Sequence, residues 1–317
     1  MKNITIINIM IIKVIIIKVT TLSFLIALIA GCNPDNFRQV VEVDIPEHES
    51  RLVLNARISS LDIGITALVA NSLGILDTSA YDIPEDATVR LFRDGELLGN
   101  DFSFMPGKLK YFLSLDEPLG TAPGLYRMDA STPGYEPIFA EQRMPVPVPI
   151  HSLRVERDGA IDDEGRRADG IEVQFSDPAG EENYYALEFY YEISEVQPGG
   201  DTLTYRNPVY ASTLDQVVQY GYHYEQVLTD KSFNGSSYTV SLYAYPGALP
   251  EGAPNARLVA RLYSLSRDAF LYDLSLRQYY DALDNPFAEP VTVHSNVEGG
   301  YGIFALSSVA EAGVPLE

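Results

Sequence analysis

The chain of 317 residues carries 22 basic and 44 acidic residues, which gives a formal net charge of −22. This excess of acid argues against a nucleic-acid-binding protein and against electrostatic docking on anionic lipid, because phosphates would be repelled. A single cysteine excludes a disulfide framework and a thiolate zinc site, and no motif indicates a cofactor. The length predicts roughly two domains, and 21 tyrosines with 23 glycines and 20 prolines favour many short strands and turns.

Residues 1–31 have the pattern of a signal peptide. They contain no acid, and Lys13 and Lys18 precede an apolar run from Val19 to Ala30. A basic segment followed by a short apolar one is typical of a secretory leader. The run is shorter than the ~20 residues that cross a bilayer as a helix, which disfavours a transmembrane anchor. Met10 is an alternative to Met1 as the true start.

The leader ends in a lipobox, Leu28-Ile29-Ala30-Gly31-Cys32. Cys32 is therefore the predicted site of lipidation, with palmitate and related acyl chains as the membrane anchor. Two or three chains, at about 0.8 kcal/mol per buried CH₂, hold a protein stably on a membrane. The alternative is an ordinary signal-peptidase site that happens to contain a cysteine. Cleavage before Cys32 would leave a polar tether over residues 32–49 and a body with a net charge of −25.

Residues 50–144 are predicted to form an immunoglobulin-like β-sandwich. Leu52, Leu54, Ala56 and Ile58 alternate with polar residues, as in a half-buried strand. Asp94-Gly95 between two alternating segments predicts a tight hairpin. Further strands are predicted from Tyr111 to Leu115, from Leu125 to Met128 and from Ile138 to Met144. Strands at this spacing, separated by Pro and Gly, indicate an antiparallel sandwich.

Residues 145–150 contain three prolines at alternate positions and are predicted to be a semi-rigid linker. A second antiparallel β-domain is expected over residues 151–317, with Asn234-Gly235 as a tight turn. Its predicted strands are Ile171 to Phe175, Tyr185 to Ile193, Val209 to Leu214, Tyr238 to Ala244 and Ala256 to Tyr263. The fold class is therefore mainly β, with two sandwich-like domains.

One helix is predicted near residues 266–284. Ser266 is a suitable N-cap, and Asn285-Pro286 ends the pattern. An apolar stripe at helical spacing predicts that the helix packs on the second β-domain, and it has no basic face for a membrane. The stripe consists of Tyr272, Leu276, Tyr279 and Leu283, widened by Phe270, Leu271 and Leu274.

The ionisable residues give few candidate sites. His48, His151, His223 and His294 are scattered, which disfavours a metal or catalytic role for them. Asp162, Asp163, Glu164 and Asp169 supply oxygen ligands of the kind calcium prefers. Their spacing fits no known calcium loop, so a solvated hairpin tip is favoured.

Tyr220, Tyr222 and Tyr224 are predicted to project from one face of an extended segment. Such a row either packs on a strand or forms a recognition surface for a sugar or a partner. Gly299-Gly300-Tyr301-Gly302 precedes a strand-like segment, and the glycines are expected to shape a turn and not to bind phosphate.

Several motifs resemble a Bacteroidota lipoprotein family, the domain-of-unknown-function family forty-two forty-nine. The likeness covers nearly the whole mature chain. The motifs are the lipobox, Pro149-Ile150-His151-Ser152-Leu153, Asp177-Pro178-Ala179-Gly180-Glu181-Glu182-Asn183-Tyr184-Tyr185, Asn285-Pro286-Phe287-Ala288-Glu289-Pro290 and the segment Ser295 to Phe304.

The resemblance implies an outer-membrane lipoprotein with an immunoglobulin-like or transthyretin-like first domain, a second β-domain and a TonB-dependent receptor as partner. It assigns no catalytic residue. In the closing motif, Pro286 is expected to end the helix and Pro290 to begin an edge strand.

We therefore expect a non-enzymatic accessory subunit of such a receptor in nutrient uptake. The alternatives are a free-standing ligand-binding or adhesion lipoprotein and, less favoured, an envelope hydrolase.

Overall fold

A computed structural model describes residues 18, 20–21, 48–74, 76–78, 81–99, 102–197, 199–224, 226–245, 247–250, 255–283, 285 and 287–316. The chain divides into two compact units, residues 1–47 and residues 48–317, and nearly all of the described residues belong to the second unit. The lipobox, Cys32, Met10, most of the leader and most of the tether lie outside the described residues. Pro286 also lies outside them.

The described part of the chain is mainly β, as predicted. Its strands are β1 (Leu52–Ser59), β2 (Gly64–Asn71), β3 (Thr88–Arg93), β4 (Glu96–Gly99), β5 (Ser103–Met105), β6 (Lys110–Ser114), β7 (Leu125–Ser131), β8 (Ile138–Arg143), β9 (Ile150–Ile161), β10 (Arg167–Ser176), β11 (Tyr184–Val196), β12 (Thr202–Pro208), β13 (Ala211–Ser212), β14 (Gln226–Thr229), β15 (Ser237–Ala244), β16 (Ala256–Leu265) and β17 (Tyr301–Pro315). A helix, α1 (Arg267–Leu283), lies between β16 and β17.

These strands form three sheets among the described residues. The largest has nine strands in the order β12-β11-β16-β17-β1-β2-β6-β5, and β14 also pairs with β11. The two smaller sheets have the orders β4-β3-β7-β8 and β13-β15-β10-β9. Strand β17 pairs in parallel with β1 and antiparallel with β16, so the last strand connects segments from both halves of the chain.

The hydrophobic residues form two main cores. Most of the first belongs to strands before residue 145, including Leu54, Leu91 and Tyr126, together with Phe304 and Leu306 of β17. The second core lies after that position and includes Phe175 and Leu187. The domain boundary at residues 145–150 and the immunoglobulin-like topology of the first half stay predictions, and the structure adds that β17 contributes to both cores.

Local sequence signals account for several of these elements. Burial alternates along β1, as predicted from its period-two pattern. Asp94 and Gly95 have φ angles of 52° and 84°, so they form the predicted hairpin turn between β3 and β4. Because positive φ strains most side chains, glycine is favoured at the second of these positions.

The glycines at the start of β17 are required by close contacts. A Cβ on Gly302 would lie 2.1 Å from the Leu54 carbonyl oxygen, and Gly302 has a φ of 114°. A Cβ on Gly300 would lie 2.2 Å from the Leu52 carbonyl oxygen. The predicted role of this segment in shaping the chain is therefore confirmed, and the contact that demands glycine is the parallel pairing with β1.

Helix α1 agrees with its predicted bounds. The Ala269 N–H donates to Ser266 Oγ at 3.4 Å, as expected of an N-cap. Its buried face was predicted wrongly in part. Ala269, Phe270 and Asp273 are buried, whereas Tyr279 and Leu283 on the predicted stripe are 37% and 58% exposed. The buried residues of the helix lie in its first half, where the Phe270 ring is 5.0 Å from that of Tyr184.

Two strand predictions were wrong. The predicted strand from Val209 to Leu214 is only the short β13, which pairs with β15 in a different sheet from β12. No strand begins at Pro290 in the described residues. The segment after it makes an isolated bridge, Phe139 to Glu298, and continues into β17.

Candidate functional site

One face of the nine-stranded sheet carries a band of charged side chains. In the ladder, Glu188 pairs with Arg261, and Arg261 pairs with Glu311. Residues directly opposite each other share a face, so strand alternation places these three side chains together. The charged face, as we call it, consists of Arg57, Glu188, Tyr190, Glu192, Arg206, Arg257, Arg261 and Glu311.

Glu192 lies at the centre of an arginine pair. Its side chain is 5% exposed, and its two carboxylate oxygens accept hydrogen bonds from Arg206 Nε at 2.6 Å and from Arg257 Nε at 2.5 Å. The two guanidinium groups are 49% and 51% exposed. The buried carboxylate is therefore paired through both oxygens, while both guanidinium groups stay half-exposed.

A second cluster surrounds Tyr190. Its hydroxyl donates to Glu311 at 2.5 Å, and Arg261 Nε donates to the same oxygen at 3.0 Å. The guanidinium groups of Arg206 and Arg261 lie 4.6 Å and 4.9 Å from the centre of the Tyr190 ring. This geometry is typical of cation–π contacts and fixes both arginines against the ring.

The ionisation of this cluster follows from its contacts. Burial and the bond to Glu311 raise the pKa of Tyr190 to about 12, so the phenol stays neutral. Burial opposes the charge of Glu311, but the bonds from Tyr190 and Arg261 prevail and hold the pKa of its carboxyl below its usual value. Burial likewise opposes the charge of Arg261, yet the pKa of its guanidinium is raised by Glu311. The cluster therefore carries fixed charges at neutral pH.

His223 lies where three clefts of the charged face meet. The largest, of about 350 Å³, is lined by Tyr190, Arg206 and Arg261 among others. Two smaller clefts, of about 250 Å³ and about 220 Å³, are both lined by Arg57, and His223 lines all three clefts. The face is thus an open surface with shallow depressions that meet at one imidazole.

Asp273 of α1 holds His223 in this position. Its side chain is fully buried and accepts hydrogen bonds from the His223 backbone N–H at 2.9 Å. His223 Nδ1 lies 2.8 Å from the same carboxylate oxygen, and Arg57 Nη1 lies 3.6 Å from it. A Cβ on Gly221 would lie 1.9 Å from Asp273 Oδ2, so only glycine fits there. The helix thereby anchors the loop that borders the clefts.

The predicted tyrosine row is divided by the fold. Tyr224 is 9% exposed and packs on Tyr263 with ring centres 4.9 Å apart. Tyr220 and Tyr222 are 49% and 46% exposed. Tyr222 stacks on Tyr280 of α1 at 4.8 Å with 14° between the rings. The prediction of one extended face was wrong, because the segment bends and sends Tyr224 into the core.

The acidic loop forms the β9–β10 hairpin tip. Asp162 is 3% exposed and accepts hydrogen bonds from the backbone N–H groups of Glu164 and Arg166 and from the Arg166 side chain. Burial acts against its charge, but these bonds lower the pKa of Asp162. Asp169 instead pairs with Arg157 at 2.7 Å. No group of three or more candidate ligands in the described residues could hold a metal ion.

The remaining histidines lie in different places. His48 Nε2 lies 2.9 Å from Ser72 Oγ, His294 Nε2 lies 2.7 Å from Asp268 of α1, and His151 is exposed on β9. The family motif from Asp177 to Tyr185 is structural, because buried Asp177 accepts hydrogen bonds from the Tyr185 hydroxyl and from the Gly235 N–H. These bonds connect the end of β10 to the turn at Asn234-Gly235.

Sequence reasoning missed the charged face. Alternation along the predicted strand Tyr185 to Ile193 places Glu188 and Glu192 away from the core, but the arginines that bond to Glu192 lie in other segments. Arg257 is 65 residues from Glu192. The alternation of acids in β11 with the apolar core residues was the available signal, and strand register was the missing information.

The fold and this face define a mainly β protein whose candidate site is an open, charged sheet surface. The chain belongs to the family described as Domain of unknown function (DUF4249), whose model matches residues 38–312. The resemblance carried by the sequence motifs is thereby confirmed as to family. No curated protein matches the chain. None of the described helical segments is long and apolar enough to cross a bilayer.

Proposed function

We propose that the protein is a lipid-anchored outer-membrane protein that acts without catalysis as an accessory subunit of a TonB-dependent receptor in nutrient uptake. The apolar leader ending in Cys32 supports the location, because acyl chains would attach a body whose net charge is strongly negative. The charged face is the observation that carries the binding role.

The charged face suits docking to another macromolecule. Its side chains are fixed by mutual bonds before any partner arrives, so little conformational entropy is lost on binding. Arg257 bonds to Glu192 through Nε alone within the described residues, which leaves its terminal nitrogens for a partner. An arginine with its two terminal nitrogens available pairs well with carboxylates. We therefore expect an acidic or carboxylate-bearing segment of the receptor to contact this face.

Lipidation is tested by Cys32→Ser. The unmodified chain should incorporate labelled palmitate and sediment with outer membranes, and the variant should do neither. A control substitution, Ser23→Ala within the apolar leader, should leave labelling intact. A Cys32→Ser chain that still carries palmitate and stays in the membrane would contradict the proposed anchor.

Partnership is tested by co-purification from detergent-solubilised envelopes. The unmodified chain should recover a TonB-dependent receptor, and Arg257→Ala should reduce the recovery several-fold at equal expression. Arg154→Ala on β9 is the matched control, because it removes the same charge from an exposed position away from the charged face. Recovery of the lipoprotein alone, under detergent conditions that preserve known receptor complexes, would count against the partnership.

A free-standing ligand-binding or adhesion role is the second candidate. The exposed stack of Tyr222 on Tyr280 favours it, because aromatic faces bind sugars and peptides. A screen of glycans and peptides should then give a ligand whose binding is lost in Tyr222→Ala and kept in Tyr81→Ala, another exposed tyrosine. Loss in both variants, or in neither, would count against a site at the stack.

The hydrolase alternative has one supporting geometry, the His223–Asp273 pair, which resembles the base and orienting acid of a triad. Among the described residues, no Ser, Thr or Cys side chain hydrogen-bonds to the His223 ring. Ester and glycoside substrates turned over by the unmodified chain and not by His223→Ala would favour this alternative.

A further inference from the structure

Strand β12 is an open edge of the nine-stranded sheet. It pairs with β11 on one side, and no strand lies on its other side within the described residues. Leu203 and Tyr205 on this strand are 45% and 46% exposed. An edge with unpaired N–H and C=O groups pairs readily with another chain.

The hydrogen bonds to β11 identify which backbone groups face outward. Gln197 N–H donates to the Asp201 carbonyl at 2.7 Å, and Val209 N–H donates to the Phe189 carbonyl at 2.9 Å. Hydrogen-bonded and non-bonded pairs alternate along an antiparallel ladder, and this ladder has no register shift. The odd-numbered residues therefore bond to β11, while Thr202, Thr204 and Arg206 present their N–H and C=O groups outward.

The other described edges are protected. Strands β5, β13, β4 and β14 have between two and four residues. Strand β9 has register shifts in its ladder with β10, and β8 is bridged at Phe139 to Glu298. Short length, bulges and cover are the usual protections of an edge. Strand β12 combines seven residues and a regular ladder with none of these protections, except that Pro208 ends it.

We propose that β12 pairs with the β12 strand of a second copy of this chain, antiparallel about a two-fold axis at Thr204. Outward-facing groups must pair with outward-facing groups, so even-numbered residues lie opposite even-numbered residues. In this register Thr204 lies opposite its own counterpart, Thr202 lies opposite Arg206, and Leu203 lies opposite Tyr205. The two nine-stranded sheets then form one continuous sheet.

The edge is self-complementary in this register. Leu203 opposite Tyr205 is an aliphatic–aromatic pair of the kind that stabilises sheets, and Asp201 lies opposite Asn207, which has an amide to donate. Residues 201–208 contain one acid and one base, so like charges do not meet despite the acidity of the whole chain. A shift by two residues places Tyr205 opposite Asp201 or Leu203 opposite Asn207, and in each case the two Leu203–Tyr205 pairs are replaced by a single pair of identical side chains on the axis.

Disulfide trapping tests the register. In the full chain with Cys32→Ser, Thr204→Cys places one cysteine on the proposed axis, where paired Cα atoms lie about 5.5 Å apart. That separation suits a disulfide. The matched control is Thr202→Cys, whose counterpart in the second copy is displaced by four residues, roughly 13 Å along the strand. We expect rapid dimer formation on mild oxidation for Thr204→Cys only. Equal trapping in both variants, or none in either, would overturn the proposal.

Solution mass gives an independent test. The full chain with Cys32→Ser should scatter light as a dimer of the 35.1 kDa chain. Thr204→Pro removes one outward N–H and no bond to β11, so it should be a folded monomer, while Thr204→Ala keeps the donor and should stay dimeric. Circular dichroism verifies folding of each variant. A monomeric starting chain, or a dimeric folded Thr204→Pro, would contradict pairing through β12.

Discussion

The two faces of β11 and β16 are built from alternate residues of the same strands, and where the two strands pair, charged side chains lie on only one of these faces. On one face Leu187, Phe189 and Leu262 are buried in the second core. On the other face Glu192 and Arg261 form ion pairs, and Glu188 accepts a hydrogen bond from the Tyr263 hydroxyl. The apolar face stabilises the fold through burial, and the charged face is therefore the surface on which substitutions should alter binding with less effect on stability.

The largest effect on stability is expected from a substitution on the apolar face. Leu187 is fully buried, so Leu187→Ala removes buried methyl groups and leaves a cavity. We expect a loss of about 2–5 kcal/mol in the free energy of unfolding, measured by urea titration. Leu97→Ala is the control, because Leu97 is 47% exposed and its truncation should change stability by no more than about 0.5 kcal/mol. Equal losses in the two variants would show that burial on this face does not determine stability.

An intermediate effect is expected at Glu192. Hydrogen bonds to a charged group contribute about 1.5–3 kcal/mol each, but both arginines are half-exposed and regain water when the carboxylate is lost. Glu192→Gln should therefore cost about 1–2 kcal/mol, less than Leu187→Ala.

A double-mutant cycle with Arg257→Ala isolates this pair. The two substitutions should be non-additive by at least about 0.5 kcal/mol, because they remove the same bond. Pairing Glu192→Gln with Arg154→Ala on β9 should give additive losses. Additivity with Arg257→Ala as well would show that the bond in the structure contributes no net stability.

The contrast between the faces also explains what the sequence could predict. Burial alternation in β1, the Asp94-Gly95 turn and the Ser266 cap depend on a few neighbouring residues, and all three predictions are confirmed. The prediction that Tyr220, Tyr222 and Tyr224 share one face was wrong because Tyr224 contacts Arg57 and Tyr263, which are remote in sequence.

The charged face required register in addition to alternation. Glu192 bonds to arginines 14 and 65 residues away, and the Ile303 N–H donates to the Asn55 side chain across 248 residues. A shift of one residue in any of these ladders would send the charges into the core. Alternation predicts that Glu188 faces away from the apolar core, but only the assembled sheet identifies its neighbours.

The smallest expected effect is a pH dependence at Glu311. The pKa of its carboxyl lies below the usual 4.5, because its bonds to Tyr190 and Arg261 outweigh burial. A carboxyl with a lowered folded pKa stabilises the protein above its unfolded pKa, and this contribution is lost as the pH falls through the folded value. The stability difference between the unmodified chain and Glu311→Gln should therefore be constant near neutrality and shrink below about pH 4.5.

Urea titrations from pH 7 to pH 3 at low salt measure this difference, and added salt should reduce it, because the side chain is 31% exposed. Glu96→Gln on β4 removes the same charge from an exposed position without an ion pair in the described residues, and its difference from the unmodified chain corrects for net charge. A Glu311→Gln difference that stays constant to pH 3 would mean that the ionised carboxylate is not what holds Tyr190 and Arg261 together. The charged face would then be ordered by packing on the ring alone.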